Sequence, residues 1–170
     1  EVFTQRAAKE LASYEQLVLI CGHYEGFDAR IYDLADRLIS VGDFVLTGGE
    51  IPAMLTVDAT ARMLPGVLGD AASAATDSFF DGLLGYPQYT RPRDFEGKAV
   101  PDVLLSGNHA EIARWRREQA LLTTMRHRPE LLARVTLSQA DRDFLEQQTK
   151  TKENKEFLRE SPENAIMDSI

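Results

Sequence analysis

Asp77 is the residue whose type and position most suggest chemistry. It lies in residues 69–79, a polar segment rich in Ala, Ser and Asp between a glycine-punctuated half and an arginine-rich half of the chain. A carboxylate on such a connector could take a proton from a substrate held between two surfaces. The same residue could instead cap a helix that begins at Ser78. The segment alone leaves both roles open.

Two glycine-containing loops could hold a ligand beside such a base. Residues 22–26 follow the apolar run 17–21, and Gly48 and Gly49 follow the apolar run 38–46. Glycine lets backbones approach closely, and loops at the carboxyl ends of parallel strands expose amides to nucleotide-like ligands. Neither loop matches a dinucleotide fingerprint or a phosphate-binding Walker loop. Tight turns between sheet and helix remain the alternative interpretation.

The hydrophobic pattern predicts an α/β fold that positions these residues. Apolar spacing indicates helices and short buried strands of a parallel sheet, and a long connector follows. The segment Ser106-Gly107-Asn108 supplies a cap for the last predicted helix. The predicted helices span 4–13, 28–35, 51–64 and 109–126, the strands 17–21 and 38–46, and a polar tail begins near residue 150.

Charge is distributed unevenly along the 170 residues. The formal net charge is −8, yet residues 86–134 hold nine Lys/Arg against six Asp/Glu, whereas residues 1–85 hold five against thirteen. Phosphate binding requires cationic surface, so only the middle block favours a nucleic-acid partner. A basic helix that is simply solvated is the alternative.

The remaining composition narrows the class of protein. A single cysteine excludes an intramolecular disulfide and any multi-cysteine metal site. His23 and His109 lack carboxylate or cysteine neighbours at metal-ligand spacing, so no protein metal site is expected. The sequence lacks a membrane-length apolar stretch and a signal-peptide pattern, which predicts a soluble, cytoplasmic protein with no membrane partner.

Five segments in order resemble the bacterial tRNA (guanine-N1)-methyltransferases that modify guanine 37, beside the anticodon. The resemblance extends from about residue 1 to residue 137. The segments are CGHYEGFD (21–28), VGDFVLTGGE (41–50), PGVLG (65–69), YTRP (89–92) and VLLSGNHAEI (103–112).

This resemblance implies a fold that periodicity cannot reveal. Members of the family have an α/β domain of the SPOUT class with a deep trefoil knot, a small helical C-terminal domain, and a homodimer with the active site across the interface. The corresponding division here is a knotted domain (1–68), a connector (69–101), a helical tRNA-binding domain (102–150) and a polar tail (151–170). The family's chain also carries an N-terminal stretch that this sequence lacks, so we expect weak donor binding by the isolated chain.

The resemblance also assigns the residues of the active site. The methyl donor is S-adenosylmethionine, and Asp77 is the general base, facing Arg62 of the other subunit, which stabilises charge developing on guanine O6. Phe44 stands where the family often has tyrosine. The implied donor contacts are Gly22, Glu25, Gly26, Ser40, Val41, Gly42, Asp43, Phe44, Val45, Leu46, Gly48 and Gly49.

The partner implied is the anticodon stem-loop of tRNA, with Mg²⁺ acting alongside the RNA or the donor. Trp115, at helical spacing, is predicted to be a core residue rather than a stacking platform. The sequence lacks the dinucleotide fingerprint of a nucleotide-binding oxidoreductase, which argues against that class of enzyme. A non-catalytic tRNA-binding fragment remains the alternative. The RNA contacts implied are Ser73, Ser106, Asn108, His109, Arg114, Arg116 and Arg117, with Arg126 and Arg128 as further phosphate candidates.

Overall fold

The chain divides into two compact units. The computed structural model describes residues 1–69 and 76–160, with side chains up to residue 151. Residues Glu1–Phe80 form the N-terminal unit and Asp81–Ile170 form the C-terminal unit. The boundary between the units falls within the predicted connector, residues 69–101.

Three helical segments make up the regular structure that is described in the N-terminal unit. Helix α1 is Gln5–Leu11, where the Thr4 hydroxyl accepts a hydrogen bond from the Ala7 amide at 3.3 Å. A 3₁₀ helix spans Ala29–Leu34 and helix α2 spans Glu50–Ala61. Helices α1 and α2 pack together. The side chains that are buried in this unit are small or of moderate size, namely Ala7, Ala8, Leu11, Thr56 and Thr60.

The two predicted strands of this unit are absent from the residues described, so that prediction is wrong. Isolated bridges join Val2 to Ser40 in parallel and His23 to Gly48 in antiparallel orientation. The apolar run 17–21 is not buried, and Val18 is 77% exposed. An apolar run becomes a strand only when a neighbouring strand accepts and donates its backbone hydrogen bonds. Within residues 1–69 and 76–80, no such ladder forms.

The C-terminal unit contains a small hairpin and three α-helices among its described residues. Strands β1 (Asp94–Phe95) and β2 (Lys98–Ala99) pair antiparallel, and a 3₁₀ helix follows at Asp102–Leu105. Helices α3, α4 and α5 span His109–His127, Pro129–Leu132 and Gln139–Glu160. The Asn108 carboxamide oxygen accepts from the Glu111 amide at 3.3 Å, which confirms the predicted cap of α3.

A hydrophobic core lies between α3 and the segment that begins this unit. Leu83 and Leu121 are each 1% exposed. Buried Thr124 donates its hydroxyl to the Ala120 carbonyl at 2.7 Å and accepts from the Leu84 amide at 2.9 Å. These bonds hold residues 83–86 against α3. Partly buried hydrophobic side chains complete the core, namely Tyr86, Leu132, Val135, Leu137, Phe144 and Leu145.

None of the described helices combines the length and the apolar composition that a membrane crossing needs.

Candidate functional site

Arg62 and Asp77 form an ion pair within the N-terminal unit. Arg62 follows the last residue of α2, and its Nη2 donates to Asp77 Oδ2 at 2.5 Å. The resemblance implies that this arginine faces the aspartate from the other subunit. That contact between subunits stays a prediction; within one chain the two side chains meet directly.

The pair is open to solvent. The Arg62 side chain is 39% exposed and the Asp77 side chain 45%. An ion pair at this exposure adds little to folding stability, since water competes with it and screens it. The pair therefore adds little as structural support, and its groups are of types that can do chemistry: a carboxylate can accept a proton, and a guanidinium can stabilise an anion.

The two glycine loops lie side by side in the same unit. The Gly49 amide donates to the Gly22 carbonyl at 3.0 Å, and His23 bridges to Gly48. A Cβ at Gly49 would lie 2.8 Å from the Cα of Cys21, a backbone atom that cannot move aside cheaply. Close contact between the loops therefore depends on glycine at position 49. Glu25 and Gly26 continue the first loop.

The second loop presents an apolar surface outward. Gly42 has a φ of +147°, which favours glycine, and the Phe44 ring lies against it. Phe44 is 61% exposed and Val45 is 96% exposed. Ser40, Val41, Asp43 and Leu46 belong to the same loop. Exposed backbone polar groups beside an aromatic ring fit an adenosine, which needs both hydrogen bonds and an apolar face.

His23 and Glu50 form a contact that sequence spacing did not reveal. The His23 Nε2 lies 2.6 Å from Glu50 Oε1, and both side chains are more than half exposed. His23 belongs to the first glycine loop and Glu50 begins α2 directly after the second, so the pairing of those loops brings the two side chains together. Within residues 1–69 and 76–151, no three His, Cys, Asp or Glu side chains cluster as a metal site would require.

The predicted RNA contacts at the start of α3 lie close together. The Ser106 hydroxyl donates to the Val103 carbonyl at 2.8 Å and accepts from the Asn108 amide at 3.1 Å. His109 begins the helix, and all three side chains are exposed. Ser73 lies outside the described residues.

Most of the predicted phosphate-binding arginines already have carboxylate partners. Arg114 pairs with Glu118 at 2.9 Å, and Arg128 pairs with Glu130 at 2.5 Å. Arg126 is exposed in the last turn of α3. A guanidinium bound to a carboxylate must exchange that partner before it can hold a phosphate.

Arg117 is the most firmly bound of these arginines. It donates to Asp81 at 2.7 Å and to both carboxylate oxygens of Asp141 at 3.0 and 3.1 Å. These bonds raise the pKa of Arg117 further above its usual value. The Arg117 hydrogen bond, with help from Ser138, lowers the pKa of Asp141 to about 2. The geometry favours a structural role for Arg117.

Arg116 differs from these three because it lies over an aromatic ring. Its guanidinium carbon is 5.0 Å from the centroid of Tyr86. The face of α3 that carries Arg116 and Trp115 borders a cavity of about 440 Å³. Trp115 is half-buried and lines this cavity, 6.3 Å from the Tyr89 ring, so its prediction as a core residue is wrong.

Comparison with known proteins identifies the family. The profile of the tRNA (Guanine-1)-methyltransferase TrmD family matches residues 1–134. The chain therefore belongs to this family.

Curated relatives agree with that assignment. The tRNA (guanine-N(1)-)-methyltransferase of Moorella thermoacetica is 63% identical over 148 residues, which cover 86% of this chain and 59% of the relative. The protein of that name from Lactobacillus johnsonii is 54% identical, with 91% of this chain and 64% of the relative covered. The one from Syntrophotalea carbinolica is 60% identical, with 85% and 59% covered. The chain thus spans about three-fifths of the length of these relatives.

Proposed function

We propose that this protein transfers the methyl group of S-adenosylmethionine to N1 of guanine 37 in tRNA. The observation that carries the proposal is the solvent-accessible pair of Arg62 and Asp77, 2.5 Å apart, in a chain of the tRNA (Guanine-1)-methyltransferase family. We further infer that residues 1–68 belong to a SPOUT-type trefoil-knot domain, that residues 102–150 bind the anticodon stem-loop, and that the protein acts in the cytoplasm.

The chemistry assigns one task to each member of the pair. Guanine N1 carries a proton, so the bond from N1 to the methyl carbon forms as that proton leaves. Asp77 accepts the proton, and Arg62 stabilises the negative charge that moves toward O6. S-adenosylmethionine supplies the methyl group from its sulfonium sulfur. The sulfur keeps the electron pair of the broken carbon–sulfur bond, so the donor leaves as S-adenosylhomocysteine. A carboxylate is a weak base for this proton, so orientation by the pair contributes much of the acceleration.

The paired glycine loops are the proposed donor site. The hydrogen bond between Gly49 and Gly22 holds the loops together, and Phe44 offers a ring beside them. These features support adenosine binding through backbone amides and stacking. Glu25 and Asp43, both exposed, are available to hydroxyl and amino groups of the donor.

Exposed apolar surface on the N-terminal unit supports the proposed homodimer. Val18, Leu34 and Val45 are each more than 70% exposed. Soluble proteins rarely leave large apolar patches in water, and such patches mark interfaces. We place Mg²⁺, if the reaction uses it, with the RNA, where it neutralises phosphate charge.

Methyl transfer to a tRNA that carries guanine at position 37 tests the proposal. Asp77→Asn keeps the size of the side chain and removes the base, so we expect the rate to fall by about 10² to 10⁴. Asp33→Asn is the matched control, because Asp33 is also exposed in the same unit, and its rate should match that of the parent.

Two results would overturn the proposal. Equal rates for Asp77→Asn and the parent would remove Asp77 from the chemistry. Binding of tRNA without any transfer by the parent chain would support the alternative, a non-catalytic tRNA-binding fragment.

A further inference from the structure

The cavity beside Trp115 lies wholly in the C-terminal unit, whereas the Arg62–Asp77 pair belongs to the N-terminal unit. Its volume is about 440 Å³, within the range of ligand pockets. Val100, Leu104 and Ile112 supply its half-buried apolar lining. Aromatic and guanidinium groups also line it, namely Tyr86, Tyr89, Trp115, Arg91, Arg93 and Arg116.

The rings of this cavity are arranged to receive a flat group. Tyr89 and Trp115 have centroids 6.3 Å apart and are inclined at 51°, so they do not stack on each other. Tyr89 is 48% exposed, and Trp115 is half-buried. Water therefore reaches part of the aromatic surface. A nucleobase binds such surfaces by stacking, whatever its identity.

The charges of the cavity favour an anion beside that flat group. Arg93 forms an ion pair with Asp102, in which Nη2 lies 3.2 Å from Oδ1. Among residues 1–69 and 76–151, no carboxylate forms an ion pair with Arg91 or Arg116, in contrast to Arg114, Arg117 and Arg128. Arg116 lies over Tyr86 instead. Unpaired guanidinium groups next to aromatic rings match the phosphate and base of a nucleotide.

We propose that this cavity binds one unpaired nucleotide of the RNA, distinct from the guanine that is methylated. The base stacks against Tyr89 and Trp115, and the adjoining phosphate contacts Arg91 and Arg116. This inference rests on the proposed RNA substrate. It makes the cavity a second contact that positions single-stranded RNA, the form in which RNA sequence and shape are usually read.

Trp115 is the only tryptophan of the chain, so its fluorescence reports on this cavity directly. The full chain is titrated with a short single-stranded oligoribonucleotide, with the same strand hybridised to its complement, and with inorganic phosphate. We expect saturable quenching by the single strand, and weaker binding of the duplex. Phosphate alone should leave the emission unchanged.

Variants test the assigned contacts. Tyr89→Leu should weaken binding by about 5-fold to 100-fold, because one stacked base is lost, whereas Tyr89→Phe should retain binding. Phe95→Leu is the matched control, since Phe95 is an exposed aromatic residue of the same unit outside the cavity. Arg116→Gln should weaken binding and flatten its salt dependence. Arg134→Gln should change neither, because Arg134 is exposed and does not line the cavity.

Several outcomes would overturn the inference. They are absence of quenching, equal binding of the duplex, quenching by phosphate alone, or equal losses in Tyr89→Leu and Phe95→Leu. If Tyr89→Leu does not fold, Arg116→Gln decides the matter by itself.

The outcome is separable from the proposed function. Methyl transfer that depends on Asp77, without quenching of Trp115, would refute the cavity and keep the enzyme. Specific quenching without methyl transfer would refute the enzyme and keep the cavity.

Discussion

The two units of this protein are stabilised in different ways. The C-terminal unit buries Leu83, Leu121 and Leu131, and only Tyr89, Phe95 and Leu105 are exposed large hydrophobic residues among its described side chains. The N-terminal unit buries little beyond the contact of α1 with α2, while apolar side chains such as Val18 and Leu34 face water.

This difference indicates where each unit obtains its stability. A closed core supports the C-terminal unit from within, since burial of apolar surface is the main favourable term in folding. The N-terminal unit carries the Arg62–Asp77 pair and the glycine loops, yet leaves apolar surface uncovered. This exposed apolar surface is consistent with the proposed homodimer.

Two leucine substitutions, one in each unit, should differ most in their effect on the free energy of unfolding, and they test the contrast between the units. Leu121→Ala should lower the free energy of unfolding by about 2–5 kcal/mol, because a fully buried side chain leaves a cavity. Leu34→Ala, at 76% exposure, should change it by about 0.5 kcal/mol or less. Urea unfolding followed by Trp115 fluorescence and circular dichroism measures both. A large loss in Leu34→Ala would mean that another surface covers the N-terminal unit in solution.

Two aspartates, one in each unit, test whether burial decides how much an ion pair contributes to stability. An arginine neighbour holds the pKa of Asp28 and of Asp141 at about 2, but Asp28 is exposed whereas Asp141 is 7% exposed. Asp141→Asn should cost about 2–3 kcal/mol, because Arg117 loses the buried one of its two carboxylate partners in a partly desolvated site. Asp28→Asn should have a smaller effect, since water screens that pair. Equal losses would contradict the argument from burial.

The same shift predicts a pH dependence for the C-terminal unit. The folded pKa of Asp141, about 2, lies below the value of about 3.9 for an unfolded aspartate. Its contribution to stability is therefore complete above about pH 4 and is lost as the pH falls toward 2. Acid titration of the parent and of Asp141→Asn, followed by Trp115 emission, should show this component only in the parent. A parallel loss in both proteins would assign the acid sensitivity to other groups.

A glycine substitution gives the smallest of these effects and concerns the N-terminal unit alone. Gly49→Ala would place a Cβ 2.8 Å from the Cα of Cys21 and force the two loops apart. We expect affinity for S-adenosylmethionine to fall by about tenfold, or about 1.4 kcal/mol, in calorimetric titration. Gly69→Ala is the control, since no atom lies within 4 Å of its added Cβ. Unchanged affinity in Gly49→Ala would separate donor binding from the pairing of the loops.

Local sequence signals predicted α1, α2 and α3 but missed α5, Gln139–Glu160. The predicted cap of α3 is confirmed, since the Asn108 side chain accepts from the Glu111 amide. These features succeed because a helix is built from contacts a few residues apart. The predicted strands failed for the opposite reason: residues 17–21 have the composition of a strand, but pairing depends on residues far away in the chain.

The candidate site shows the same difference between what local sequence predicts and what long-range packing decides. The sequence by itself identified Asp77 as a candidate base and the glycine loops as a candidate ligand site, and its motifs indicated the family. Tertiary structure alone decided that Arg62 meets Asp77 within one chain, that Arg117 is bound to Asp81 and Asp141, and that Trp115 lines a cavity. Residue types and spacing specify what chemistry is available. Which side chains meet, and which remain open to a ligand, is set by packing between distant segments, which a linear sequence does not display.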